Sequence, residues 1–329
     1  MNLNKHIYII FLMYALLTST SCKWISEDFQ SKDYSNQNIH LKICVLGNSY
    51  AADAFSYLPH ILREYGISTE IYLYYKGSGS LKDLVEQWNS TAGTEKADGG
   101  GNHMRMLFHI DTRSNNAKWE NLERMSANDV VSMGNWDIIT LQQYSAHTDL
   151  IDKYHPYLEQ AIDSINKAYN GDYKRAWFMA YNRATHDYPE NNLSVQKEII
   201  DSNNFDLVMP VATAVFDARQ IDSIAILGDS EYHNLWASDS VHLQEGLPCY
   251  IAALALAESI LREYLPYRSV IDDKTRPTQS WIRSINGITR NGDSIGVTEL
   301  NCEYAQRIAI LANDRKYEII NVDSISSAK

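Results

Sequence analysis

This chain of 329 residues is short of basic charge, short of cysteine and without a long apolar run. Lys and Arg number 29 against 41 Asp and Glu, a formal charge of −12, and no basic block interrupts the acidic excess. That pattern offers no cationic stripe to follow a phosphate backbone, which excludes nucleic acid as a partner. Four cysteines in a chain of this length do not make a disulfide framework. Cys44, Cys249 and Cys302 read instead as small buried hydrophobes. The apolar run from Ile7 to Leu17 would cross, as a helix, only about half of a hydrocarbon core roughly 30 Å thick. No internal repeat is present. What is there is ordinary globular material, 45% apolar and 21% charged, which rules out a disordered or collagen-like chain.

The start of the chain reads as a targeting segment. Lys5 precedes the apolar run, and Thr18-Ser19-Thr20-Ser21-Cys22 follows it. A short positive region, an apolar core and small residues at a cleavage point describe a secretory signal over residues 1–21. A cysteine directly after the small residues resembles the lipobox of bacterial lipoproteins, although Ser19 stands where that motif usually has leucine. The resemblance implies acylation at Cys22, a membrane partner through the N-terminal lipid, and a polar tether over residues 22–40.

From residue 41 apolar β-branched runs alternate with helical patterns. Strands are expected at Leu41–Leu46, Ile67–Tyr75, Trp136–Leu141, Arg175–Ala180 and Phe205–Val211. Helices are expected at Ala51–Tyr65 (with Pro59 opening a second turn), Leu81–Trp88, Tyr154–Tyr169, Val195–Asp201 and Leu243–Tyr264. Strands spaced by helices imply crossover connections, hence an α/β fold with a mostly parallel sheet of about five strands, covered on both faces. Residues 89–125 read as a polar, glycine-rich insertion. Residues 41–265 are taken as one domain, and 266–329 as an extension with one helix between Gly296 and Ala312, packed on that domain.

Three segments have the form Gly-[Asn/Asp]-Ser. Gly292-Asp293-Ser294-Ile295-Gly296 spells a nucleophile elbow, but no histidine follows it in the chain, as that elbow requires. Gly228-Asp229-Ser230 opens no helix. Gly47-Asn48-Ser49 lies where a buried strand ends and a helix begins, the place where open α/β sheets hold their ligands. Ser49 could serve there as a helix N-cap or as a nucleophile. The second element of the pattern is Asp239-Ser240-Val241-His242, on a tight loop ahead of the last long helix. An aspartate three residues before a histidine can hold Nδ1 of its ring, leaving Nε2 to accept a serine proton.

These segments resemble the SGNH/GDSL hydrolases, whose first block is strand–Gly-Asp-Ser–helix and whose last is D-x-x-H. Val45–Tyr50, Lys76–Leu81, Trp136–Gln143 and Asp239–Leu243 look more closely like an SGNH-like family of Bacteroidetes lipoproteins, the DUF4886 type. The resemblance implies a three-layer, flavodoxin-like fold and an esterase needing no cofactor or metal. Ser49 would be the nucleophile, His242 the general base and then acid, and Asp239 its orienting partner. The N–H groups of Ser49 and of Gly77 or Gly79 would line an oxyanion hole, with a carboxamide from Gln142 or Gln143 in place of the family's G-x-N-D asparagine. Asn48 stands where the usual block has aspartate.

With 22 Tyr and 7 Trp, and with Trp88 and Trp119 flanking the insertion, an acylated carbohydrate is the expected substrate. The expected protein is a monomeric, exported, lipid-anchored esterase at the periplasmic face or cell surface. A glycan-binding lipoprotein that keeps the fold without turnover is the other expectation. His103, His109 and Asp111 are read as structural or surface residues, because their spacing fits no metal site.

Overall fold

The computed structural model describes residues 39–91, 93–98, 100–114, 116–122, 124–184, 188–221, 235–236, 239–272 and 296–320. Residues 1–38, with the expected signal segment and Cys22, lie outside them, as do Gly228-Asp229-Ser230 and residues 292–295 of the elbow-like segment.

The central strand is β1 (Ile39–Gly47), hydrogen-bonded to β2 (Ile67–Lys76) on one side and β6 (Ile138–Gln142) on the other. Beyond β6 follow β7 (Lys174–Phe178) and β8 (Leu207–Met209), and all five of these strands run parallel. Their spatial order, second, first, third, fourth, fifth, is the flavodoxin-like winding. Ile43, Cys44, Val45 and Leu46 of β1 and all of β6 are buried, as strands covered on both faces must be.

The sheet has eight strands among the described residues rather than about five. The added three come from the segment read as an irregular insertion. Strand β4 (Asn102–Asp111) lies antiparallel to β2, and β3 (Thr94–Lys96) and β5 (Glu120–Leu122) pair along its other edge. Two of these are three-residue strands with no apolar run of their own, so pairing partners make them strands rather than local propensity.

Helices α1 (Ser49–Phe55) and α2 (Leu58–Glu64) join β1 to β2, with Pro59 in the first turn of α2. Helices α3 (Leu81–Glu86) and α4 (Ala127–Ser132) each begin with a serine–aspartate capping box, at Ser80/Asp83 and Ser126/Asp129. Helix α5 (Tyr157–Ala168) precedes β7 and α6 (Pro189–Asn203) precedes β8. The reversal of strand order at β1 sends successive right-handed crossovers to opposite faces of the sheet. Helix α7 (Val211–Ala218) follows Pro210 and is buried along its whole length. The expected strand over Phe205–Val211 ends short of it, because Pro210 cannot continue a ladder.

Helix α8 (Leu247–Tyr264) is buried from Leu247 through Leu261, so it needs cover on every side. Helices α1, α2 and α7 supply part of that cover, and α9 (Glu299–Asp314), from the C-terminal segment, supplies more. Ser259 Oγ donates to Asn313 Oδ1 at 2.8 Å, and Arg262 meets Asp314 at 2.8 Å. Among the described residues no helix is long and apolar enough to cross a membrane. Cys44, Cys249 and Cys302 are buried.

Candidate active site

The five parallel strands change direction of winding between β1 and β6, and the residues that end those two strands meet there. Gly47 closes β1, and a Cβ at that position would stand 2.7 Å from Ala51 Cβ and 2.9 Å from Gln142 Oε1. Only glycine allows this approach. Asn48 then caps α1: its Oδ1 accepts Tyr50 N–H at 3.0 Å and Gln142 Nε2 at 2.6 Å, and its Nδ2 donates to Gly79 O at 3.0 Å. One carboxamide thus joins the ends of β1 and β6 to the loop after β2. An aspartate could not donate to the Gly79 carbonyl, which gives Asn48 a physical reason. Ser49 is the first residue of α1 and 7% exposed, with its N–H among the donors a helix leaves unmatched at that end.

The loop that carries the histidine is fastened to the same helix. Asp53, one turn beyond Ser49, accepts Leu243 N–H at 3.1 Å and Tyr181 OH at 2.8 Å, both on Oδ2. Ala184 N–H donates to Ser240 O at 3.0 Å, and Gly246 N–H to Tyr57 OH at 3.0 Å. Within the loop, Asp239 Oδ1 accepts the N–H groups of Val241 and His242, each at 2.9 Å, and Oδ2 lies 2.5 Å from His242 Nδ1. Burial pulls the Asp239 carboxyl upward, but the hydrogen bonds from His242 and Val241 outweigh it and hold its pKa below the usual value. With Nδ1 committed to Asp239, Nε2 is the free lone pair of the ring. The His242 ring centroid lies 6.1 Å from that of Tyr50, the residue after Ser49. No hydrogen bond joins Ser49 to His242 in this geometry, a looseness common in active sites without substrate.

The two glutamines take different roles. Gln142 ends β6 beside Asn48, with Oε1 buried and unmatched. Gln143 is enclosed: its Oε1 accepts the N–H groups of Leu81 and Tyr144, and its Nε2 donates to Lys153 O. Its amide is spent on structure. Gly79 N–H donates to Lys76 O at 3.0 Å across a turn in which Ser78 is left-handed, so the Gly79 N–H is already matched. A cavity of about 20 Å³ adjoins this corner, lined by Gly47, Gln142, Leu46, Tyr74, Lys76 and Arg105 among others.

A DUF4886 family protein from Bacteroides uniformis superposes on this chain with a TM-score of 0.67, over 87% of this chain and 99% of that one, at 17% identity. The two proteins share a fold. A candidate SGNH hydrolase from Slackia heliotrinireducens superposes at a TM-score of 0.41 and 16% identity, over 67% of this chain and 99% of its own, too slight a likeness to build on. The sequence matches no family model and no curated protein.

Several expected features fall elsewhere. Trp88 and Trp119 are not at a cleft mouth. Both are buried, Trp88 Nε1 donating to Asn128 Oδ1 and Trp119 Nε1 to Ser56 O. His109 stacks on Tyr72 with centroids 4.4 Å apart and faces Glu70 at 3.5 Å, while Asp111 binds Arg113. These groups belong to an ion-pair network on β2 and β4. Asp53 carries no sequence signal that singles it out: it is one aspartate in a helix, and its partners are distant in the chain.

Proposed function

We propose that this protein is an exported serine esterase that removes a small O-acyl group, acetyl foremost, from a carbohydrate. The observation that carries the reading is the Asp239–His242 pair, fastened through Leu243 to the same helix that Ser49 begins. In the reaction Ser49 Oγ attacks the ester carbonyl carbon while His242 Nε2 takes the hydroxyl proton, and Asp239 stabilises the imidazolium. The oxyanion is met by the N–H groups of Ser49 and Gly77 and by the second amide hydrogen of Gln142 Nε2. Each such donor is worth about 2.7–4 kcal/mol in the transition state. His242 then protonates the departing sugar oxygen, and water, deprotonated by the same ring, releases the acid and restores Ser49.

The sequence carries no contiguous apolar loop that would form a trough for a fatty chain, which favours a short acyl group. The lipobox-like Ser21-Cys22 supports tethering at a bacterial membrane outside the cytoplasm. Wild-type protein is expected to hydrolyse 4-nitrophenyl acetate and to be labelled by a fluorophosphonate, and Ser49→Ala to do neither while remaining folded. Equal hydrolysis by the two proteins would remove Ser49 from its role. The missing hydrogen bond between Ser49 and His242 favours a second reading, a glycan-binding lipoprotein without turnover. Undiminished glycan affinity in wild-type protein that takes no fluorophosphonate would decide for it.

A further inference from the structure

An arginine beside this centre has no carboxylate partner among the described residues. Arg183 follows β7 at the carboxyl end of the sheet, one residue before Ala184, whose N–H holds Ser240 of the histidine loop. Its guanidinium lies 5.1 Å from the ring centroid of Tyr144, which follows the end of β6. The side chain is therefore braced between the two elements that bound the site. Its Nε is shut off from solvent with no hydrogen-bond partner, and no carboxylate among the described residues comes within ion-pair distance of it. The chain can supply such partners readily, with 41 acidic residues against 29 basic ones. Arg105, which is buried, has one: it meets Glu95.

Arg183 is half-buried, so its charge is partly stripped of water without the compensation that a carboxylate would give. Tyr50, the residue after Ser49, has its ring centroid 6.1 Å from that of His242. Burial pushes its phenol upward, and the charge of Arg183 opposes that rise. A planar guanidinium held over a ring matches a carboxylate in geometry and charge.

We propose that Arg183 forms an anion subsite of this centre, binding a carboxylate of the substrate, so that the acyl group is removed from an acidic sugar of the uronic acid class. The proposal rests on the esterase reading and is tested separately from it. Wild-type protein, Arg183→Gln and Arg183→Lys are compared on O-acetylated glucuronic acid and on O-acetylated glucose, which differ only at C6. The quantity read is the ratio of kcat/KM for the acidic ester to that for the neutral one. In wild type it is expected to exceed tenfold and to fall as ionic strength rises. Arg183→Gln is expected to lower it about tenfold through KM, and Arg183→Lys to recover part. A ratio in Arg183→Gln within twofold of wild type, or a wild-type preference for the neutral ester, overturns the proposal. If wild type hydrolyses neither ester, the esterase reading has failed, and the subsite is read by titrating free glucuronate and glucose against each protein. Glucuronate binding that Arg183→Gln loses supports the subsite, and equal binding by both proteins overturns it.

Discussion

Asp53 is the residue on which the arrangement of the site turns, and removing it separates positioning from packing. It is buried, 3% exposed, and one oxygen, Oδ2, accepts both the Leu243 N–H and the Tyr181 OH. Leu243 directly follows His242, so this contact sets how far the imidazole can drift from α1. Asp53→Ala deletes two hydrogen bonds to a charged acceptor, worth about 1.5–3 kcal/mol each. Because they share an oxygen the sum falls below twice that figure, and a loss of about 3–5 kcal/mol is expected. Asp53→Asn, with its amide oxygen where Oδ2 lies, keeps both acceptor contacts and loses the charge. Charge-assisted hydrogen bonds are about twice as strong as neutral ones, so half the cost, about 1.5–2.5 kcal/mol, is expected.

Stability is read from urea unfolding of the whole chain, with the slope checked for constancy. Turnover is read on 4-nitrophenyl acetate under conditions where each variant is fully folded. A displacement of about 1 Å in a catalytic group costs on the order of a hundredfold in rate, so kcat of Asp53→Ala is expected to fall by that order and Asp53→Asn to recover most of it. If Asp53→Ala loses several kcal/mol of stability yet keeps kcat within threefold of wild type, Asp53 is a packing contact alone. The account of how His242 is placed would then be wrong.

Two further outcomes follow from buried groups. Burial pushes the Asp217 carboxyl up to about 7, against the pull of the hydrogen bond from Ile320 N–H, from an ordinary value of 3.8. A raised carboxyl pKa means that the folded state holds the proton more tightly, so stability falls as pH rises from about 4 to about 7 and levels off above. Asp217→Asn, which keeps an acceptor for Ile320, is expected to stabilise at pH 8 by at most about 4 kcal/mol, and by nothing at pH 4, in denaturation curves at the two pH values. Gly47→Ala puts a methyl 2.7 Å from Ala51 Cβ and 2.9 Å from Gln142 Oε1. It is expected to cost about 1–3 kcal/mol by overpacking and to lower kcat, because relief requires α1 and Gln142 to move apart. Unchanged stability with wild-type turnover would show that the corner is looser than it stands here.

What could be read from the sequence and what could not divides by distance along the chain. Gly47-Asn48-Ser49 is legible because a strand end, a cap and a helix start lie within a few residues of one another. Asp239 and His242 are legible for the same reason, their contact spanning three residues. The five parallel strands carry apolar runs of their own. By contrast β3 and β5 are three residues each with no apolar run, made into strands by β4, and β4 itself is a strand because Arg105 to Asp111 pair with Lys76 to Glu70 of β2. Helix α7 is buried on all sides and mostly apolar, so its eight residues present no period to distinguish it from a strand.

The same division runs through the site. Asn48 in place of aspartate looks in the sequence like the loss of a charge, and in the fold it is the gain of a donor. Three loops converge where the winding reverses, after β1, β2 and β6, and the residue between them must accept from Tyr50 and Gln142 while donating to Gly79. A carboxylate offers two acceptors there and would set an oxygen against the Gly79 carbonyl. Asn48 is thus tied to Gln142, and that one hydrogen bond holds the ends of β1 and β6 together. The histidine loop is tied down by Asp53, 190 residues before its partner Leu243. The chemistry of this centre is therefore written in short local motifs, and its geometry in long-range hydrogen bonds that leave no mark on the residues around them.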